Sequence, residues 1–269
     1  MKDLGIYIPT LSRVNKQPTL NSLPAGWPIK LVVRKDEEKI YSAKYGKDLI
    51  MSCPLKGISA KRQWILENAY TKYVLLLDDD MTFNSRKQNK LVKATKADIV
   101  DMINLLYLWL KDGFLHVGIS SRQGNNYVVE DYLDIGRMSN AYAYDKDLFC
   151  KTGVRFDRLP VMEDFDVTLS LLELGYPNRI TYKYAWGQGR SGDDGGCSLY
   201  RTSEMQKNAA IRLAEFHPRT VKVVNKRSKT KWGGLDSEVR VDVIVNWKKA
   251  FKPKRLENNS KKGIRGLWA

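Results

Sequence analysis

The chain has 269 residues, of which 43% are hydrophobic, enough for the core of one large domain and too many for a disordered chain. Its 46 Lys and Arg against 30 Asp and Glu leave a net charge of +16, which favours a polyanionic partner. Three scattered cysteines exclude a disulfide framework, and the longest apolar stretch is too short for a bilayer. With no apolar run at the N-terminus that fits a signal peptide, we expect a cytoplasmic protein without a membrane partner.

Short apolar segments alternate with a helical segment in the first eighty residues. Residues 5–8, 28–33, 49–51 and 73–77 are predicted strands, and a helix is predicted over 59–68. Continuous apolar strands that alternate with helices are typical of a parallel α/β sheet with both faces covered. In such sheets, ligands bind outside the carboxyl ends of the strands.

The middle of the chain continues this mixture. An amphipathic helix is predicted over 97–111, and strands and turns over 116–149. Apolar residues then keep a helical period from Phe165 until Gly175. The stretch at 187–196 (GQGRSGDDGG) is too polar for a core, and we expect a mobile loop there.

The last fifth of the chain is strongly basic. From Arg219 onward there are fifteen Lys or Arg and four acidic residues, a net charge of +11. Aromatic residues lie between these bases, namely Trp232, Trp247, Phe251 and Trp268. Basic residues interleaved with aromatics suit a phosphate backbone with stacked bases, whereas packing of a partly buried strand at 239–245 is the alternative, and both stay open. We predict a catalytic domain over 1–217 and a basic, aromatic-containing extension over 218–269.

Three consecutive carboxylates follow the fourth predicted strand, in the sequence YVLLLDDDMTF. In an extended strand, Asp78 and Asp80 point to one side and Asp79 to the other. Two carboxylates on one side raise each other's pKa, and a divalent cation relieves that cost. Hard oxygen ligands suit Mg²⁺ or Mn²⁺, although three solvated aspartates that open a loop remain an alternative.

A second acidic cluster lies at a predicted helix start, in the sequence VMEDFD. It contains Glu163, Asp164 and Asp166 next to apolar Met162 and Phe165. Acids in a first helical turn interact favourably with the helix dipole, by about 0.3–1 kcal/mol each. A carboxylate between apolar neighbours is also suited to general-base catalysis, because its pKa rises toward neutrality.

The order of these motifs resembles the GT-A glycosyltransferases, in particular the large inverting family that uses nucleotide-sugar donors. The similar stretches, which fall within residues 5–180, are IYIPTLSR with PTLNSL, KGISAKRQWILENA, VLLLDDD and TGVRFDRLPVMEDFDVTLSLLELGY. The resemblance implies an α/β GT-A fold, Rossmann-like, with a mostly parallel central sheet and helices on both faces, followed by the basic C-terminal extension. It also implies a nucleoside-diphosphate sugar donor, typically a UDP-sugar, and Mn²⁺ or Mg²⁺.

The resemblance assigns roles to individual positions. Asp164 matches the catalytic base that deprotonates the acceptor hydroxyl, with Glu163 beside it in the catalytic cluster, and transfer is expected to invert the anomeric centre. The implied donor-binding residues are Pro9, Thr10, Arg13, Asp36, Arg62, Asp78 and Asp79. The implied metal ligands are Asp78, Asp80 and His217, whereas His116 is expected to be structural.

The acceptor is predicted from the charge together with the resemblance. The chain is similar to a smaller phage and TET-associated group that glycosylates hydroxylated bases in DNA, which implies double-stranded DNA with 5-hydroxymethylcytosine as acceptor. A saccharide, glycolipid or protein acceptor is the alternative within the same class. A nucleotide-sugar pyrophosphorylase is a further alternative, but the opening IYIPTLSR lacks a glycine-rich loop. A non-catalytic nucleic-acid-binding protein leaves both acidic clusters unexplained.

Overall fold

The computed structural model describes residues 3–188, 196–227 and 239–253, and these form twelve strands and eight α-helices. The strands are β1 (Leu4–Pro9), β2 (Ile29–Arg34), β3 (Ile50–Cys53), β4 (Tyr73–Leu77), β5 (Met81–Lys87), β6 (Lys90–Lys93), β7 (His116–Ser121), β8 (Tyr132–Asp134), β9 (Ala141–Asp145), β10 (Asn178–Gln188), β11 (Val221–Arg227) and β12 (Val239–Val245). The helices are α1 (Pro18–Ser22), α2 (Glu38–Tyr45), α3 (Ile58–Asn68), α4 (Lys96–Lys111), α5 (Lys146–Lys151), α6 (Glu163–Glu173), α7 (Ser203–Phe216) and α8 (Trp247–Ala250).

Ten strands form one mixed sheet in the order β3-β2-β1-β4-β9-β7-β10-β5-β6, with β8 paired to β10. The first four strands in this order are mutually parallel. Strand β9 runs antiparallel to both β4 and β7, whereas β10 is parallel to β7. The predicted α/β class is therefore confirmed, and the parallel part carries the carboxyl ends of β1 and β4 side by side.

Successive side chains of the central strands point to opposite faces of the sheet, which gives two separate apolar layers. In β1, Leu4, Ile6 and Ile8 belong to one core and Tyr7 to the other, and every residue of β1 and β4 is buried. Helix α4 covers the first layer, and α3 and α6 contribute to the second. Because both faces are covered, the two strands are apolar along their whole length, as the sequence pattern indicates.

The helix and strand predictions are largely confirmed, with some differences. The fourth predicted strand is followed by an unpredicted strand, β5, and the segment over 116–149 contains β7, β8, β9 and part of α5. Helix α6 begins at Glu163, and the acidic residues form its first turn, as the sequence predicted. Most of the glycine-rich stretch at 187–196 lies outside the described residues, so its predicted mobility stays a prediction.

The C-terminal segment shares a core with the preceding helices. Strands β11 and β12 form an antiparallel hairpin, and Val221, Val243 and Ala250 pack with Leu169 and Leu213 of α6 and α7. The predicted domain boundary after residue 217 therefore stays a prediction, although the described part of the extension packs against the main body. Trp232 and Trp268 lie outside the described residues.

Among the helices that the structure describes, none has both the length and the apolar character that a membrane span needs.

His116 makes the stability of the fold depend on pH. It is fully buried in β7, stacks on Tyr144 with ring centres 6.2 Å apart, and donates from Nε2 to the carbonyl oxygen of Tyr176 at 3.0 Å. Burial lowers the pKa of His116 to about 4 from an ordinary value of 6.5. Neutral His116 therefore contributes stability that is present above pH 6.5 and is lost as the pH falls toward 4.

We expect wild-type protein to lose about 2 kcal/mol between pH 7 and pH 5 through this group. Replacing His116 by Phe, which keeps an aromatic ring against Tyr144, should remove that part of the pH dependence. Urea unfolding of both proteins at pH 7 and pH 5 gives the difference. Equal losses of stability in the two proteins would contradict the assignment.

Candidate active site

A cavity of about 990 Å³ lies at the carboxyl ends of β1 and β4. Its walls come from the segments after these two strands, from α3 and the start of α6, and from the β11–β12 hairpin. This is the edge at which open α/β sheets bind ligands. Pro9, the last residue of β1, lines the cavity as predicted for a donor-site residue.

The prediction that the three aspartates continue an extended strand is wrong, because they lie in a turn, but Asp79 still differs in exposure from Asp78 and Asp80, as the predicted alternation requires. Strand β4 ends at Leu77, and the side chain of Thr19 donates to the carbonyl oxygen of Asp78 at 2.5 Å. Asp79 is buried, whereas the side chains of Asp78 and Asp80 are 22% and 25% exposed in the cavity wall. The turn thus offers two carboxylates to the cavity and keeps the middle one for internal contacts.

The segment after β1 binds the buried aspartate. The Thr10 hydroxyl donates to Asp79 at 2.6 Å, and the Arg13 guanidinium contacts both Asp79 and Asp80. Burial raises the pKa of Asp79 to about 6, although Arg13 opposes this shift. Thr10 and Arg13 therefore fix the aspartate turn, and both also line the cavity.

Two residues that the sequence interpretation did not single out support this segment. The Tyr41 hydroxyl accepts a hydrogen bond from the Arg13 backbone amide at 2.9 Å and lies 3.2 Å from the Thr10 hydroxyl. Lys61 is buried and donates to the carbonyl oxygen of Thr10 at 2.7 Å, and burial lowers its pKa. Lys61 lies within the quoted KGISAKRQW stretch, but nothing in the sequence indicates the contact.

Asp36 is not brought to this site. Its carboxylate pairs with the Arg34 guanidinium, its side chain is 62% exposed, and it does not line the cavity, whereas Arg34 does. The chain turns into a short 3₁₀ helix directly after Arg34, and Asp36 lies within that helix. The prediction that Asp36 belongs to this site is therefore wrong, and Arg34 lines the cavity instead.

Arg62 connects the two acidic clusters. Its Nη2 atom lies 2.5 Å from Asp78, and its Nη1 atom forms an ion pair with Glu163. The guanidinium is buried and lies over the ring of Tyr142, 5.4 Å from the ring centre. Asn140, at a positive φ of 63°, donates to the other oxygen of Asp78 at 2.7 Å. Arg13 and Arg62 together place positive charge against the aspartates, which explains how a buried strand can end in three carboxylates.

The start of α6 presents the second acidic cluster. Met162 adopts a left-handed conformation, with φ of 62°, and the helix begins at the next residue. Glu163 is buried in its ion pair with Arg62, and burial raises the pKa of Glu163. Asp164 is half-buried and lines the cavity, and no hydrogen bond or ion pair joins it to any residue that the structure describes. Its carboxylate is thus the one in this cluster that a substrate can reach.

His217 lies elsewhere, so its predicted place as a metal ligand is corrected. Its Nε2 atom is 2.9 Å from Asp166, and its Nδ1 atom is 3.2 Å from Glu173. Asp166 also accepts two hydrogen bonds from Arg158, at 2.9 and 2.8 Å. Both ring nitrogens of the buried histidine are therefore used in anchoring α6 to the end of α7, and neither His217 nor Asp166 lines the cavity.

Of the predicted metal ligands, Asp78 and Asp80 remain, and both line the cavity. Asp78 is bonded to Arg62 and Asn140, and Asp80 to Arg13 and to Gln188 at 2.9 Å. Within the described residues, no three His, Cys, Asp or Glu side chains come together as a complete metal site. This donor set fits Mg²⁺ or Mn²⁺, which commonly take one or two protein carboxylates and complete their shell with water and substrate phosphates.

Solved structures share this architecture. A crystal structure of Staphylococcus aureus TarS residues 1–349 in complex with UDP-GlcNAc superimposes with a TM-score of 0.51 at 16% identity, covering 79% of this chain and 66% of that one. Glucosyl-3-phosphoglycerate synthase from Mycobacterium tuberculosis, in complex with Mn²⁺, UDP and phosphoglyceric acid, gives 0.51 at 13% identity, covering 90% and 86%. These likenesses show that the chain has the fold of the GT-A glycosyltransferases, with the acidic turn placed after β4.

The amino-acid sequence narrows this class. Residues 4–196 match the family described as TET-Associated Glycosyltransferase, and the chain belongs to that family. It is also 25% identical over 259 residues to the Beta-glucosyl-HMC-alpha-glucosyl-transferase of Enterobacteria phage T6, covering 88% of this chain and 90% of the relative. The protein of the same name from phage T2 is 24% identical over the same length.

Proposed function

We propose that this protein transfers a sugar from a nucleoside-diphosphate sugar, most simply a UDP-sugar, to a hydroxyl group on a modified cytosine in double-stranded DNA. The observation that supports the proposal is a single cavity that combines the aspartate turn, the open carboxylate of Asp164 and a basic wall from the C-terminal hairpin. The alternatives of another class explain only part of this arrangement. A pyrophosphorylase has no need of a basic acceptor wall, and a non-catalytic DNA-binding protein has no need of Asp164.

The chemistry follows from the positions of these groups. Asp164 takes the proton of the acceptor hydroxyl, and the oxygen forms a bond to the anomeric carbon of the donor sugar. The bond from that carbon to the diphosphate oxygen breaks, and its electron pair leaves with the nucleoside diphosphate. Thr10 and Arg13 hold the donor-side segment in place, and Arg62 keeps Asp78 and Glu163 at fixed positions beside the reacting groups.

Asp78 and Asp80 are the residues that would hold a divalent cation. Such a cation supplies positive charge to the diphosphate as it departs. In the protein by itself, burial and then the neighbouring Asp78 raise the pKa of Asp80. Asp80 is therefore a carboxylate whose ionised form a cation would favour.

The phage relatives support the acceptor. Their names specify glucosyl transfer to hydroxymethylcytosine that already carries a β-glucosyl group. We propose the same acceptor class here, a cytosine that carries either a free or a glucosylated hydroxymethyl group. The relatives are phage proteins, so we place the reaction in the cytoplasm of a bacterial host, where the acceptor DNA is located.

The stereochemical prediction needs its own measurement, because those names also specify an α-glucosyl product. Inversion of an α-linked donor gives a β product, whereas retention gives an α product. The coupling constant of the anomeric proton in the product distinguishes the two. A retained configuration would overturn both the inverting prediction and the direct-displacement role of Asp164.

A panel of acceptors tests the proposed function. UDP-sugars with Mn²⁺ or Mg²⁺ are incubated with duplexes that contain cytosine, hydroxymethylcytosine or glucosylated hydroxymethylcytosine, and with oligosaccharides. We expect transfer to one or both modified duplexes, none to unmodified DNA, and DNA affinity that falls as salt rises. Transfer to oligosaccharides alone would contradict the proposal.

Removal of the metal provides a separate prediction. We expect EDTA to reduce transfer to background and added Mn²⁺ to restore it, and Asp80→Ala to weaken Mn²⁺ binding in the presence of UDP, measured by electron paramagnetic resonance. Asp101→Ala, which changes an exposed carboxylate on α4, is the control and should bind Mn²⁺ like wild type. Full activity in EDTA, or unchanged Mn²⁺ binding by Asp80→Ala, would rule out this metal site.

A further inference from the structure

A cluster of two aromatic side chains and one arginine lies directly beside Asp164, in the wall of the cavity. Phe165 contacts Trp247 of α8, with ring centres 5.5 Å apart and planes tilted by 44°. The Arg137 guanidinium lies over the Phe165 ring, 4.4 Å from its centre. All three side chains line the cavity, and we call them the aromatic platform.

Packing alone does not account for the platform. Phe165 and Trp247 are only half-buried, although they lie at the edge of the core that the C-terminal segment shares with α6 and α7. Arg137 is exposed, and it forms no hydrogen bond or ion pair with any of the described residues. Within the part of the chain that the structure describes, its guanidinium donors are thus open to a ligand, while its position over Phe165 restricts its movement.

The neighbouring hairpin adds positive charge to the same wall. Lys226 and Arg240 lie opposite each other in the register of β11 and β12, and both line the cavity. Asp242 contacts both of them, at 3.1 and 3.0 Å. Lys226 and Arg240 thus place positive charge in this wall beside Asp242, and such charge suits phosphate groups.

We infer that the aromatic platform is the acceptor subsite, where a nucleotide extruded from the DNA duplex stacks its modified base while Lys226 and Arg240 contact the flanking phosphates. An enzyme that acts on a base in a duplex must take the base out of the stack, and an aromatic surface replaces the lost stacking. The base would lie near Asp164, because Asp164 and Phe165 both line the cavity at the start of α6. This inference rests on the proposed function. It assigns part of the DNA recognition to Lys226, Arg240 and Trp247, which lie outside the matched residues 4–196.

Trp247→Ala and Arg137→Ala test the platform. Kinetics are measured with the modified duplex that wild-type protein uses, at saturating donor, and UDP affinity is measured by calorimetry. We expect the acceptor KM to rise about tenfold in Trp247→Ala, since stacking on one aromatic contributes about that much. UDP affinity should stay within twofold of wild type, and Trp247→Phe should recover most of the acceptor affinity.

Matched substitutions outside the cavity provide the controls. Arg212 also lies over an aromatic ring, 5.1 Å from the centre of Phe216, and Trp64 is also half-buried. Neither residue lines the cavity, so Arg212→Ala and Trp64→Ala should keep the wild-type acceptor KM. Circular dichroism of every variant monitors folding, and Arg137→Ala, an exposed change, provides the test even where Trp247→Ala is unstable.

The outcomes separate the inference from the function on which it rests. Wild-type transfer to modified DNA with an unchanged acceptor KM in both Arg137→Ala and Trp247→Ala overturns the platform alone. Absence of wild-type transfer to every modified duplex overturns the proposed function and the platform with it. A raised acceptor KM with unchanged UDP affinity supports both.

Discussion

Replacing Asp164 by Asn should reduce the transfer rate by about 10²- to 10⁴-fold, the usual contribution of a general base. The amide has nearly the same shape and no hydrogen bond to lose within the described residues, so the fold should be unchanged. UDP affinity should stay within twofold of wild type, because the donor-side contacts of Thr10 and Arg13 are intact. Single-turnover transfer measured at saturating donor and acceptor checks the rate, and calorimetry checks the affinity.

Asp147→Asn is the matched control. Asp147 is also an acid in the first turn of a helix, α5, but it is exposed and does not line the cavity. Its substitution should leave the transfer rate unchanged. Full activity in Asp164→Asn would remove this residue from the mechanism, and loss of activity in Glu163→Gln alone would then move the base to Glu163.

Replacing Arg62 by Met should destabilise the protein by about 3–5 kcal/mol, the usual cost of breaking a buried ion pair from one side. Arg62 and Glu163 are each about 5% exposed or less, so the loss of the guanidinium leaves a carboxylate buried without its cation. The same guanidinium opposes the rise in the pKa of Glu163, and its removal should raise that pKa further. Urea unfolding at pH 7 measures the change in stability.

The double variant Arg62→Met, Glu163→Gln measures the interaction energy between the two side chains of the ion pair. Because it removes both charges, its loss of stability should be smaller than the sum of the two single losses. Arg155→Met is the surface control. Arg155 pairs with Glu67 and Asp157 but is 49% exposed, so its loss should cost no more than about 1 kcal/mol. A loss for Arg62→Met as small as that for Arg155→Met would contradict the role of Arg62 as a buried connector.

Arg62 also determines what activity measurements on this protein can show. It is the only described side chain seen to contact both acidic clusters, through Asp78 and Glu163. A defect in donor binding and a defect in catalysis would therefore occur together in Arg62 variants. The Asp164→Asn and Trp247→Ala variants are more informative about catalysis and acceptor binding, because each changes a side chain on one side of this connection.

Local pattern and the family resemblance singled out residues that the structure brings to one cavity, and the roles of these residues stay predictions. Thr10 and Arg13 follow a buried strand, the aspartates follow another, and parallel strands bring such ends to one edge. The resemblance singled out Asp164 within the acidic helix start, and this residue lines the cavity. The predictions that were wrong concern the conformation of a turn, the direction of Asp36 and the partners of His217, all of which depend on contacts with distant segments.

By itself, the sequence determined which segments are buried, where the strands of the parallel half end, and that carboxylates stand at one of those ends. Hydrophobic period and charge report local preference, and these features need nothing more. Only the tertiary structure decided that Arg13 reaches Asp79, 66 residues away, and that Arg62 reaches Glu163, 101 residues away. Strand order and helix packing bring such side chains together, and no local pattern records that order. The same reason explains why the wall formed by Arg137, Phe165 and Trp247 emerged only from the fold.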